Sequence, residues 1–180
     1  MIEAVFEDRD IKAKCTQQTE AVTASDAIFA SNTSTLPITG LAKASGRPKQ
    51  FIGLHFFSPV DKMPLVEIIR GEQTDETTLA KAFDYVLQIG KTPIVVNDSR
   101  GFYTSRVFAT YITEGSAMLS EGVHPRLIEV AGIKSGMPVG PLALQDEVSL
   151  GLMLHINEQT KKDLQKEGKE MPHHLSLIHI

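Results

Sequence analysis

Two residues in this chain are typed and spaced to move a proton. His55 lies in the apolar run Phe51-Ile-Gly-Leu-His-Phe-Phe-Ser-Pro59, and Glu67 lies in the next run, Met63-Pro-Leu-Val-Glu-Ile-Ile-Arg70. Short apolar runs bounded by turn signals read as buried strands, so the imidazole and the carboxylate are expected to face each other across the turn. A buried histidine beside a buried carboxylate can take up a proton near neutral pH. Buried polar groups also need partners, and each of these is the obvious partner of the other. The pattern leaves a catalytic dyad and a structural pair equally open.

Two further stretches carry polar groups that chemistry could use. Ser31-Asn-Thr-Ser-Thr35 follows a strand and precedes a helix, the edge at which open α/β sheets hold ligands. Its small side chains could hold a ribose, an amide or a substrate oxygen, although on pattern alone capping of the next helix is the stronger reading. Asp98-Ser-Arg-Gly-Phe-Tyr-Thr-Ser-Arg106 either caps the following helix through Asp98 or Ser99, or brings Ser105 into a cleft between domains. The other histidines show no spacing with further ligand types, so no metal site is expected. Gly-x-Gly-x-x-Gly and Gly-x-Ser-x-Gly patterns do not occur.

The elements that must position these residues alternate in type over the first part of the chain. Strands are expected at Ile2–Glu7, Ala27–Ala30, Phe51–Phe57, Pro64–Ile69 and Thr92–Val96. Between them come a helix with Ile11, Cys15 and Val22 as its apolar stripe, a short one over Leu36–Ala44, and one over Thr74–Gly90. The last is expected to bury Leu79, Phe83, Val86 and Leu87, with Gly90 as its stop. This alternation predicts parallel pairing and a layered α/β sheet. After Asp98 no strand signal returns. Helices are expected over Gly101–Glu121, with Phe108, Tyr111, Ile112 and Leu119 as its stripe, over Pro125–Ser135, and from Pro141 to about Glu167. The domains are accordingly read as 1–98 and 99–172, with 173–180 a non-native tail.

Bulk properties narrow the function classes. In 180 residues, 42% are hydrophobic and 22% charged, and the formal net charge is −4. No block of like charge suggests a nucleic-acid or membrane surface. The single cysteine, Cys15, excludes an internal disulfide and is expected to be a buried, inert thiol. No apolar run reaches the length of a membrane span. A reducing, aqueous compartment fits these features.

Phe29-Ala-Ser-Asn-Thr-Ser34, Gly53-Leu-His-Phe-Phe-Ser-Pro59, Leu65-Val-Glu-Ile-Ile69 and Asp98–Arg106 together resemble, in order and spacing, the 3-hydroxyacyl-CoA dehydrogenases. The wording is most similar to the dehydrogenase part of the fatty-acid oxidation complex α subunit, over roughly Ile2–Lys166. The resemblance implies an α/β fold: the C-terminal part of a Rossmann-type dinucleotide-binding domain, followed by an all-α domain. It places the Gly-rich phosphate loop upstream of Met1. It implies NAD as cofactor and the 3-hydroxyacyl-CoA and 3-ketoacyl-CoA pair as substrates.

By position, His55 matches the family's catalytic base, Glu67 its partner, and Ser34 the serine that touches the substrate oxygen and the nicotinamide region. Glu7, Lys12, Asn32 and Ser58 match cofactor contacts, and Ser58 stands where many members have Asn. Ser105 also replaces a common Asn, one that reaches the substrate from the helical domain. The resemblance further implies a homodimer through the helical domain or a place in a multienzyme complex, in the bacterial cytoplasm first and mitochondria second. Competing readings are a related hydroxy-acid dehydrogenase and a non-catalytic remnant that serves as a binding piece.

Overall fold

The computed structural model describes residues 1–148 and, beyond them, Leu150, Gly151, Leu154, Glu158, Thr160, Lys161, Leu164, Gln165 and Gly168. The tail expected at 173–180 and much of the helix expected past Val148 lie outside the described residues. Two compact units divide the chain between Arg106 and Val107.

The first unit is built on a five-stranded sheet of β1 (Ile2–Glu3), β2 (Phe29–Ser31), β3 (Phe51–Phe56), β4 (Leu65–Arg70) and β5 (Thr92–Asn97), in that spatial order. β1, β2 and β3 pair in parallel, and so do β4 and β5. The seam between β3 and β4 is antiparallel, so the parallel pairing expected from the strand–helix alternation holds on either side of it and not across it. Only a short turn joins those two strands, and without a crossover helix the chain must return alongside itself.

Side chains alternate between the two sheet faces. On one face Phe29, Phe51 and Ile69 pack with Leu36, Phe102 and three residues of α2 (Ile38–Ala42), namely Ile38, Leu41 and Ala42. On the other, Ala30, Ile52, Leu54, Val66 and Ile68 pack with Ala82 and Val86 of α3 (Glu76–Gln88). Gly53 makes the first packing possible: a Cβ there would lie 2.7 Å from Ile38 Cδ1 and 2.9 Å from Ile69 Cβ.

Two helices bury different stripes from those expected. In α3 the buried line is Thr78, Ala82 and Val86, and Leu79 packs half-buried against the same core; of the expected stripe, Phe83 is 36% and Leu87 53% exposed. Short side chains along that line let the helix lie close on a sheet face already filled by branched residues. The helix still ends at Gly90, with Lys91 N–H donating to Val86 O at 3.1 Å. In α1 (Arg9–Glu20) the buried residues are Lys12 and Thr16; Ile11 and Val22 are exposed and Cys15 is half-buried. The ion pair of Lys12 with Glu3, 3.0 Å from Nζ to Oε1, turns the helix this way.

The second unit contains most of α4 (Thr104–Ser120), all of α5 (Pro125–Lys134) and α6 (Pro141–Val148). Ile112 and Gly115 of α4 are buried, as are Ile128 and Gly132 of α5. Phe108 and Tyr111 are half-buried, but Leu119 is exposed, so the expected stripe narrows toward the end of α4. Tyr111 Oη donates to Val139 O at 2.9 Å. The Glu129 carboxylate accepts the N–H of Leu142 at 2.8 Å, capping α6. No described helix is long and apolar enough to cross a membrane.

Candidate active site

His55 and Glu67 are direct cross-strand partners, as the two apolar runs predicted. His55 Nδ1 lies 2.7 Å from Glu67 Oε2, and the two residues are 5% and 0% exposed. Glu67 has other donors as well. Its Oε1 accepts the N–H groups of Tyr103 at 3.1 Å and Thr104 at 2.8 Å, and its Oε2 accepts the Thr104 hydroxyl at 2.7 Å. Burial alone would raise the Glu67 pKa. The hydrogen bonds from His55 and from the backbone and side chain of Thr104 together outweigh it and hold the carboxyl below its usual range.

An ionised carboxylate only accepts, so Nδ1 carries the proton that faces Glu67, and in the neutral imidazole Nε2 then holds the lone pair. The rings of Phe57 and Phe102, with centroids 4.4 Å and 6.1 Å from that of His55, hold the imidazole in place.

The chain reaches Glu67 a second time through the segment after β5. Asp98, one of the two residues read as able to cap the helix that follows, instead accepts the N–H groups of Ile38 and Thr39, both at 2.8 Å, at the start of α2. Ser99 Oγ donates to Phe102 O. Gly101 at φ +73° and Phe102 at φ +46° then turn the chain sharply. Phe102 enters the core at 1% exposure, and the next two amides land on Glu67. Glu67 therefore accepts, from a distant strand, the two amides that lead into α4.

Thr104 is the site residue that sequence reasoning missed. A usable signal existed: a buried carboxylate with one histidine partner keeps acceptor capacity, and a hydroxyl at a helix start can fill it.

The 31–35 loop lies next to the pair through Asn32, whose Oδ1 accepts the N–H of Phe56 at 3.0 Å. Thr33 Oγ1 accepts from Leu36 N–H within the loop, but the loop does not cap α2 as the plainer reading expected, because the first amides of that helix go to Asp98. Ser34 is exposed, and Ser105 Oγ donates to its carbonyl oxygen at a long 3.4 Å. Glu7 Oε1 accepts the Ser34 N–H at 3.1 Å, and Lys12 Nζ lies 3.4 Å from Glu7 Oε2. Lys12 itself is 2% exposed and also bonds Glu3, to which Ser31 Oγ donates. Ser58 is exposed in the turn after β3; among the described residues no hydrogen bond joins it to the others.

Glu7, Asn32, Ser34, His55 and Ser58 thus follow or end the three parallel strands, on the edge where α/β sheets bind ligands. The arrangement provides a proton acceptor at Nε2, a charge to stabilise its protonated form, and exposed serine hydroxyls on the same edge of the sheet.

Residues 1–99 match the family profile described as 3-hydroxyacyl-CoA dehydrogenase, NAD binding domain, and residues 101–177 match that of the C-terminal domain. Fatty acid oxidation complex subunit alpha of Shewanella amazonensis is 44% identical over 169 residues, 94% of this chain and 24% of that protein. Its counterpart in Shewanella frigidimarina is 45% identical over 91% of this chain and 23% of its own length. The chain therefore spans about a quarter of these curated relatives. Among solved structures, (S)-3-hydroxybutyryl-CoA dehydrogenase of Ralstonia eutropha superposes with a TM-score of 0.85 at 40% identity, covering 91% of this chain and 59% of that one. An Escherichia coli 3-hydroxybutyryl-CoA dehydrogenase gives 0.78 at 33% identity, over 82% and 32%.

Proposed function

Since the chain belongs to the 3-hydroxyacyl-CoA dehydrogenase family, we propose that it forms the proton-transfer part of an enzyme oxidising (S)-3-hydroxyacyl-CoA to 3-ketoacyl-CoA with NAD in fatty-acid oxidation. The observation that carries this reading is the 2.7 Å contact between His55 Nδ1 and Glu67 Oε2 at the carboxyl edge of the parallel strands. That contact leaves Nε2 free to take the proton of the substrate's 3-hydroxyl. Glu67 acts through His55: its charge stabilises the imidazolium as it forms. The hydroxyls of Ser34 and Ser105 polarise the substrate oxygen as it becomes a carbonyl. In the reverse direction the same groups return the proton to a 3-ketoacyl-CoA.

The residues present fit one end of a dinucleotide. Ser34 and Ser58 offer exposed hydroxyls to a ribose or a carboxamide, and Glu7 and Lys12 fix the loop that presents Ser34. NAD, when bound, supplies the acceptor for the electron pair and hydrogen that leave C3. Asn32 contributes by holding the end of β3 against the loop.

The naming of bacterial relatives as complex subunits supports a place in a multienzyme assembly in the bacterial cytoplasm. Exposed Leu127, Val130 and Ile133 on α5 support association through the helical part, in such a complex or in a homodimer.

The test is NADH formation from 3-hydroxybutyryl-CoA by the purified protein and its His55→Ala variant. The variant is expected to lose roughly 10²–10⁴-fold in turnover, while calorimetric titration shows NAD binding retained. Equal turnover by the two proteins would overturn the assignment of His55 as the base.

A further inference from the structure

We infer that the Thr104 hydroxyl is a positioning group that sets the basicity of His55 by sharing one oxygen of Glu67 with it. Oε2 lies 2.7 Å from both Thr104 Oγ1 and His55 Nδ1. A carboxylate has about four lone-pair sites, and here the N–H groups of Tyr103 and Thr104 fill those of Oε1. A hydroxyl at a helix start commonly bonds its own backbone. Thr104 instead gives its one proton to a carboxylate 37 positions away in sequence.

The consequence is electrostatic. Charge drawn from Oε2 by the hydroxyl is not available to the imidazole, so the pull of Glu67 on a proton at His55 is moderated. Loss of the hydroxyl would leave that pull undivided. The two amides on Oε1 keep the carboxylate plane fixed, so that Oε2 stays directed at the ring.

The titratable groups on the neighbouring segments are few. β3 carries His55 alone, β2 and β5 carry no titratable side chain, and Arg70 at the end of β4 pairs with Glu76 at 2.6 Å. In the returning segment, Asp98 is engaged at α2, and Arg100, Tyr103 and Arg106 are the remaining titratable side chains.

The catalytic meaning rests on the reading of His55 as the base, but the shared oxygen does not, and the experiment separates them. The His55 imidazole is titrated by NMR in the wild type, Thr104→Val, Thr104→Ala and Thr104→Ser, alongside pH profiles of kcat/KM. Removing the hydroxyl in either Val or Ala should raise the imidazole pKa by about half a unit to one unit, and Ser should restore it. The acid limb of kcat/KM should move to higher pH by the same amount.

An unchanged or lowered imidazole pKa in both hydroxyl-free variants overturns the inference, as does a Ser variant that behaves like Val. If the pKa rises as expected while His55→Ala keeps its turnover, the failure belongs to the assignment of the base and the sharing stands.

Discussion

Glu7 holds Ser34 by its backbone: the Ser34 N–H donates to Glu7 Oε1 at 3.1 Å, across 27 residues of chain. The same oxygen accepts the Thr33 hydroxyl at 2.5 Å and the Thr35 N–H and hydroxyl, both at 3.2 Å. One carboxylate therefore fixes the path of the loop and leaves the Ser34 side chain exposed. Glu7→Ala should cost about 1–3 kcal/mol in urea unfolding and speed amide exchange at Ser34 and Thr35. Unaltered protection of those two amides would show that the loop holds its shape without Glu7.

Ile38 rests on Gly53, and the space for a side chain there is already taken. A Cβ would stand 2.7 Å from Ile38 Cδ1 and 2.8 Å from Ile38 Cγ1, with Ile69 Cβ at 2.9 Å below. Ile38 and Ile69 are both fully buried, so neither can yield without moving α2 or β4. Gly53→Ala is expected to destabilise by about 1–3 kcal/mol through overpacking. The check is a lower urea midpoint at constant slope; a midpoint equal to the wild type would mean that α2 shifts freely.

The sequence made the central pair readable because β3 and β4 are short apolar runs, each interrupted by one ionisable residue short of its end. A polar turn too short to hold a crossover helix brings such residues face to face. Other features depend on contacts between distant segments. Lys12 is buried because Glu3 and Glu7 pair with it, and a stripe drawn through Ile11, Cys15 and Val22 ignores that possibility. Asp98 looks like a local cap but serves Ile38 and Thr39, 60 and 59 residues away. Thr104 shows only a hydroxyl at a helix start, and its partner lies three elements upstream on β4. Periodicity reports which side chains avoid water; it does not report which buried acceptors still need a donor.

Tyr111 predicts an alkaline weakness in the helical unit. Burial, and secondarily the charge of Glu129, raise its phenol above the usual value of 10.0. A raised folded-state pKa favours the native state at pH values below the unfolded value, and this contribution is lost as pH rises through the folded one. Tyr111→Phe should remove that sensitivity, at a cost of about 1 kcal/mol at neutral pH for the lost hydrogen bond to Val139 O. Thermal unfolding of both proteins between neutral and strongly alkaline pH makes the comparison. Parallel curves for the two would exclude Tyr111 as the source.

Glu67 predicts the opposite dependence, on the acid side. Its pKa is lowered from 4.5: burial works against ionisation, but the His55 hydrogen bond and the Thr104 donors prevail. A lowered folded-state pKa contributes stability that is present above the unfolded value and is lost as pH falls through the folded one. Asp75 acts in the same direction, because the backbone and side-chain hydrogen bonds of Thr78 lower its pKa too, so the wild-type acid transition has more than one source. Glu67→Gln isolates the share that belongs to the site. A neutral amide in that position must turn its NH₂ toward one set of donors, leaving buried groups mismatched at every pH. The variant should be less stable than the wild type at neutral pH, and the gap should narrow as pH falls below about 4.5. Its turnover should fall severely as well, because an amide stabilises imidazolium far less than a carboxylate does. Urea unfolding of the two proteins along a descending pH series measures the gap directly; a gap independent of pH would mean that Glu67 is not ionised in the native protein.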